Sequence, residues 1–224
     1  MAQKKITGVA TAEHLALEKA ALAHLKKIDP ALHTRALPHR GGISSRVLPK
    51  KTNQALFEAL ASSIVSQQLS VKAAASIYGK LQTILGGKIT PEGISKTKEP
   101  KLRSAGLSAA KVKTLKELSQ AILRKDINLL SLKKASPEEA LEKLTAIWGI
   151  GPWTAEMFLI FAVGSPDIFS PGDLILAKKI EELRGFARGA KSKKELAAIA
   201  ELWSPHRTFV SLLFWKLHSV DKQK

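Results

Sequence analysis

The sequence predicts an all-α protein. Apolar residues recur at helical spacing through most of its 224 residues, the periodic segments open on cap residues such as Ser70, Ser108 and Ser136, and no stretch alternates convincingly enough for a strand. About ten helices are expected, without internal repeats or low-complexity tracts.

The first helix follows the basic tail Met1 to Lys5. It runs from Thr11, a candidate cap, to Ile28, with Leu15, Leu17, Ala20, Leu22 and Leu25 on its apolar positions and Asp29-Pro30 as its stop. His33 to Lys51 reads as a long polar connection. A second helix spans Asn53 to Gln67, presenting Leu56, Phe57, Leu60, Ile64 and Val65. The corner Ser66-Gln67-Gln68-Leu69-Ser70 follows, and Ser70 caps a third helix that ends before Gly86-Gly87. Short helical pieces fill Pro91 to Arg103, Gly106 ends them, and Ser108 starts a helix to Leu123. Its polar side carries Lys111, Lys113 and Lys116, a solvated face within reach of phosphates. Leu129 to Lys134 is read as a connection, and Ser136-Pro137-Glu138-Glu139 as a helix start with proline and acids in the first turn.

The chain is organised around Leu144-Thr145-Ala146-Ile147-Trp148-Gly149-Ile150-Gly151-Pro152-Trp153-Thr154-Ala155. Leu144 and Ile147 keep helical spacing, Gly149 and Gly151 open backbone angles closed to other residues, and Pro152 suits the first position of a new helix. The turn amides and the helix N-terminus after them form a grip for a phosphate. That helix is expected to reach Val163. After Gly164 to Gly172, Asp173 stands where the next helix begins, and the dipole and amides there favour a carboxylate anion. Asp167, the rival carboxylate, lies in a turn that explains it without chemistry. Helices over Ser192 to Trp203 and Pro205 to Val220 close the chain.

Composition narrows the function. Lys and Arg number 36 against 19 Asp and Glu, a formal charge of +17, so the partner expected is a polyanion, above all nucleic acid. With no cysteine, disulfides, thiol nucleophiles and cysteine-bound zinc or iron–sulfur clusters are excluded. The six histidines show no metal-ligand spacing. The longest apolar runs, Phe158 to Val163 and Phe209 to Phe214, fall short of a membrane span, and no apolar signal segment opens the chain. An intracellular protein without a membrane partner is expected.

Taken with a downstream aspartate, the hairpin resembles the helix-hairpin-helix DNA glycosylase superfamily. Ser66-Gln67-Gln68-Leu69-Ser70, Gly106-Leu107-Ser108-Ala109-Ala110-Lys111, Gly149 to Ala155 and Trp203-Ser204-Pro205-His206-Arg207 resemble its alkylpurine branch, the 3-methyladenine DNA glycosylases II, from Phe57 to Leu217. The resemblance implies two helical lobes with a cleft between them, one from 53–164 and the other from 1–52 with 165–224, in a compact form lacking an N-terminal β-domain. It implies an enzyme that hydrolyses the N-glycosidic bond of alkylated purines in double-stranded DNA for base excision repair. Asp173 is then the catalytic carboxylate, facing oxocarbenium character on the sugar of a flipped nucleotide.

The same resemblance puts Trp153, Trp215 and Met157 in the base pocket, with Trp148 left to the core. Gly149, Gly151 and Thr154 meet a DNA phosphate. Gln68 and Leu69 are both candidates for the wedge that enters the base stack. Main-chain oxygens of Thr145, Ile147 and Ile150 hold a structural Na+ or K+, and catalysis itself takes no cofactor. Because Trp153 stands where glycosylase-lyases carry a lysine, the enzyme is expected to be monofunctional, without abasic-site lyase activity. Met157 and Leu174 replace tyrosines of the bacterial inducible form and smooth the pocket. A monomer is expected, in the cytoplasm of a bacterium or the nucleus of a eukaryote. The competing class is a non-catalytic DNA-binding helix-hairpin-helix protein.

Overall fold

The structure is a computed structural model, and residues 12–44, 47 and 49–222 are described here. It contains twelve α-helices and no strand among the described residues. Its described residues divide into two compact units, one within 49–164 and a second formed by those of 12–47 with 165–222. No helix among the described residues is long and apolar enough to cross a membrane.

The first unit holds α3 (Asn53–Ser66), α4 (Val71–Ile84), α5 (Pro91–Lys96), α6 (Glu99–Arg103), α7 (Ala109–Leu123), α8 (Pro137–Thr145) and α9 (Pro152–Phe158). Five of these starts use one device. Thr52, Ser70, Thr90, Ser108 and Ser136 each accept, on the side-chain oxygen, the amide three residues on. Central α3 buries Leu56, Phe57, Leu60, Ala61, Ile64 and Val65 against α4, α7 and α9, each large side chain contributing about 1.5–3 kcal/mol. Leu129–Lys133, read as a connection, is a 3-10 turn. The helix expected to reach Val163 changes character at Leu159, where a π-turn begins and closes with Gly164 N–H on the Leu159 carbonyl at 2.9 Å.

The second unit contains α1 (Ala12–Ile28), α2 (Pro30–Ala36), α10 (Leu174–Arg184), α11 (Lys193–Ala200) and α12 (Arg207–Asp221). Thr11, the candidate cap of α1, lies outside the described residues. Asp29-Pro30 stops α1 and also starts a helix the sequence reading missed, since Asp29 caps Leu32 N–H and Pro30 takes the first position of α2. The connection after it is correspondingly shorter. Glu18, buried on α1, accepts the Gly41 amide and fastens that connection. Trp203 is completely buried, edge-on to Phe214, and its indole N–H donates to Asp29 Oδ2 at 3.0 Å. Arg184 Nη2 reaches the same oxygen at 2.8 Å, so this buried carboxylate keeps its partners.

Candidate functional site

In the first unit the turn between α8 and α9 is closed by Ile150 N–H on the Ile147 carbonyl at 3.1 Å. Its two glycines serve different ends. Gly149 has φ +83°, and a Cβ there would lie 2.0 Å from Thr114 Oγ1 on α7, so the turn backbone presses directly on that helix. Gly151 has an ordinary φ of −81°, which corrects the expectation that it needs a special backbone angle; a Cβ there would meet nothing within 4 Å. It is the N-cap of α9, and no side chain caps this helix. First-turn amides beside open space are what an approaching anion requires.

Around the turn, Thr154 is buried, and its hydroxyl oxygen accepts from Gln67 Nε2 at 3.3 Å. Gln67 also donates to the Gly149 carbonyl at 3.4 Å. This residue, unassigned from sequence, ties the Ser66–Ser70 corner to the hairpin across more than eighty positions. At the corner, Gln68 is exposed with φ +56°, a strained conformation for a side-chain-bearing residue, while Leu69 is half-buried. Lys111 Nζ caps the end of α3, donating to the Val65 carbonyl at 2.8 Å and the Gln67 carbonyl at 2.7 Å. Burial pushes this ammonium below its ordinary pKa. Lys116 donates to the carbonyls of Ile94, Ser95 and Thr97 at the C-terminal end of α5. The expectation that these two lysines reach phosphates is therefore corrected: their charge goes to helix ends, where unpaired carbonyls concentrate.

Trp153 is half-exposed on α9, with half-buried Met157 one helical turn further on. Trp148, expected in the core, is 47% exposed, and Lys113 Nζ lies 4.2 Å from the centre of its ring. The carbonyls of Thr145, Ile147 and Ile150 belong to the C-terminal end of α8 and the turn. Neutral oxygens at the negative end of a helix dipole are the donor set a monovalent cation takes, so the chemistry of these groups fits one. A cavity of about 520 Å³ in this unit, lined by Asn53, Gln54, Phe57, Glu92, Lys125 and Leu129 among others, contains none of the expected site residues.

The second unit presents Asp173 as the N-cap of α10. Its Oδ1 accepts Ile175 N–H at 2.9 Å, Leu176 N–H at 3.1 Å and Trp215 Nε1–H at 3.2 Å. Trp215, expected as a pocket wall, is here a hydrogen-bond donor to the carboxylate, a contact between residues 42 positions apart. Leu174, next in sequence, is 86% exposed. On the other side, Lys193 Nζ lies 3.7 Å from where a Gly172 Cβ would stand, placing an ammonium beside the Asp173 turn. Sequence reading had no signal for this neighbour.

The loop bearing Asp173 is fastened to the start of α12. Thr208 N–H donates to the Pro166 carbonyl at 3.1 Å, and Ile168 N–H donates to Thr208 Oγ1 at 2.9 Å. Asp167 receives Arg207 Nε at 2.8 Å, Arg207 Nη2 at 3.0 Å and the Ser204 hydroxyl at 2.8 Å. Desolvation raises its pKa, but the bonds from Arg207 and Ser204 outweigh this and hold the carboxyl below its ordinary value. Trp203 to Arg207 is accordingly the clamp that fixes the loop. Its His206 meets His24 edge-on at 5.3 Å, and burial, with the second imidazole, pushes the His206 pKa down.

Comparison with known proteins places the chain in a family. Residues 61–205 match the family described as HhH-GPD superfamily base excision DNA repair protein. DNA-3-methyladenine glycosylase 1 of Schizosaccharomyces pombe is 32% identical over 166 residues, 71% of each chain. The crystal structure of a DNA-3-methyladenine glycosidase from Bacillus halodurans superposes with a TM-score of 0.80 at 31% identity, covering 92% of this chain and 91% of that one. The Schizosaccharomyces pombe 3-methyladenine DNA glycosylase Mag1, solved in complex with abasic DNA, gives 0.67 at 28%, covering 88% and 95%.

Proposed function

Because the chain belongs to the HhH-GPD superfamily of base excision DNA repair proteins, we propose that it is a DNA glycosylase that removes alkylated purines, of the 3-methyladenine and 7-methylguanine type, from double-stranded DNA. The observation that carries the reading is the Asp173 carboxylate, aimed by two backbone amides and the Trp215 indole. A purine alkylated at N3 or N7 is cationic and departs with the glycosidic electron pair as a neutral base. The chain therefore needs no strong acid at the leaving group. Asp173 stabilises the positive charge that grows on the deoxyribose, and helps to place the water whose oxygen bonds to C1′ as one of its protons passes to solvent.

The remaining roles follow the same reading. Amides at Gly149, Gly151 and Thr154 hold a phosphate of the damaged strand, the buried Thr154 hydroxyl serving Gln67 instead. Trp153, Met157 and Trp215 receive the base, an indole facing a cationic purine being worth about 1–2 kcal/mol. Gln68 leads into the base stack, since it is the exposed, strained tip of its corner, with Leu69 packed behind it. Trp153 offers no amine for a Schiff base, so excision ends at an intact abasic site. Thr145, Ile147 and Ile150 would hold a Na+ or K+ that supports the turn. The enzyme acts as a monomer, in the cytoplasm or nucleus according to its host.

Methylated duplex DNA incubated with the protein tests this directly, with free bases separated by chromatography. Wild type releases 3-methyladenine and Asp173→Asn does not. Binding without release would assign a non-catalytic DNA-binding module, and strand nicking without added alkali would assign a lyase.

A further inference from the structure

We propose that Trp148 and Lys113 form a second grip on duplex DNA, engaging the sugar-phosphate backbone next to the phosphate held at the hairpin. The inference rests on the glycosylase reading and extends its DNA surface to Trp148, read from sequence as core, and to Lys113, here paired with it. Isolated exposed apolar side chains are ordinary on protein surfaces. Trp148 is set apart by what surrounds it. The indole, in the turn, is 47% exposed, and Lys113 of α7 lies over its ring at 4.2 Å. The residue that follows it, Gly149, is locked against Thr114, the neighbour of Lys113 on α7. The pair thus stands where the hairpin presses on α7.

The three lysines of α7 have different fates. Lys111 and Lys116 donate hydrogen bonds from their ammonium groups to carbonyls at helix ends. Lys113 is exposed and, among the described residues, pairs with no carboxylate and has only the π-face of Trp148 to steady it. Such a contact orients an ammonium without neutralising it, so its donors remain available to an anion. A nucleic-acid backbone alternates anionic phosphates with apolar deoxyriboses. An ammonium beside a half-exposed indole matches that alternation, in a protein whose formal charge is +17.

The test is fluorescence anisotropy with the full chain and a duplex carrying one abasic-site analogue, titrated at several salt concentrations. Trp148→Ala is expected to weaken binding about tenfold, Trp148→Phe by no more than about threefold. Lys113→Met should flatten the slope of log K against log salt by about one, the loss of a single phosphate contact. Lys80→Met, on an exposed position of α4, should retain the wild-type slope. Thermal melts confirm that every variant is folded. Wild-type affinity in Trp148→Ala, or an unchanged slope in Lys113→Met, overturns the proposal. Base release by the wild type is measured in parallel: if none appears while both variants still lose affinity, the glycosylase reading fails and the grip stands.

Discussion

Two helices of this protein begin just after a glycine-bearing turn, and they treat their first amides in opposite ways. At α10 the residue after the glycine is Asp173, whose own carboxylate occupies the amides of Ile175 and Leu176. At α9 the cap is Gly151 itself, with no side chain in that place and open space around its α-carbon. One helix start is filled by a carboxylate of its own chain, while the other has no side chain in that place. The difference teaches that a single position decides whether the orphan donors of a helix N-terminus are taken by the chain itself or left open.

The largest expected effect sharpens what the hairpin is for. Gly149→Ala forces a side chain into a left-handed backbone and against Thr114, and should lower stability by about 3 kcal/mol or more in denaturant titration. Adding Thr114→Ala should recover part of that loss, and no recovery would break the assignment of Gly149 to packing. Next comes the clamp that holds the Asp173 loop. Asp167→Asn should cost about 3 kcal/mol near neutral pH, since Arg207 and Asp167 are mostly shielded from water. The folded carboxyl lies below its unfolded value of about 3.9, so its contribution is present above that pH and lost as the pH falls through the folded value. The gap between wild type and Asp167→Asn, followed by melts from pH 7 to pH 2, should close in acid.

Asp173 separates capping from chemistry. Asn is as good a cap as Asp, so Asp173→Asn should keep nearly all stability yet lose base release by at least about a hundredfold. Asp173→Ala should lose the same activity and a further ~1 kcal/mol of stability. Equal stability of the two variants would show that the cap contributes nothing. The smallest structural effect belongs to Gly151→Ala, within about 0.5 kcal/mol by melting, because φ is ordinary and the space is open. Its DNA affinity should nevertheless fall severalfold, since a methyl group would stand where the phosphate approaches. Unchanged affinity would return this helix start to simple packing.

The sequence by itself determined whatever depends on neighbours three or four residues away. Ser70, Ser108, Ser136, Ser192 and Asp173 all announce helix starts because a cap bonds its own backbone. Gly149 announces a turn for the same local reason. Asp29-Pro30 shows the ambiguity of such signals, as one proline both ends a helix and opens the next.

Only the tertiary structure decided which distant groups meet. Lys111 looked like a surface charge and instead caps a helix ending some forty-five positions earlier. Trp148 looked like core and stands half in water. Trp215 reaches Asp173 across 42 positions and Trp203 reaches Asp29 across 174. Periodicity reports that a side chain lies on the apolar or polar face of its own helix. The partner is chosen by how the helices pack, and that choice is a property of the whole chain.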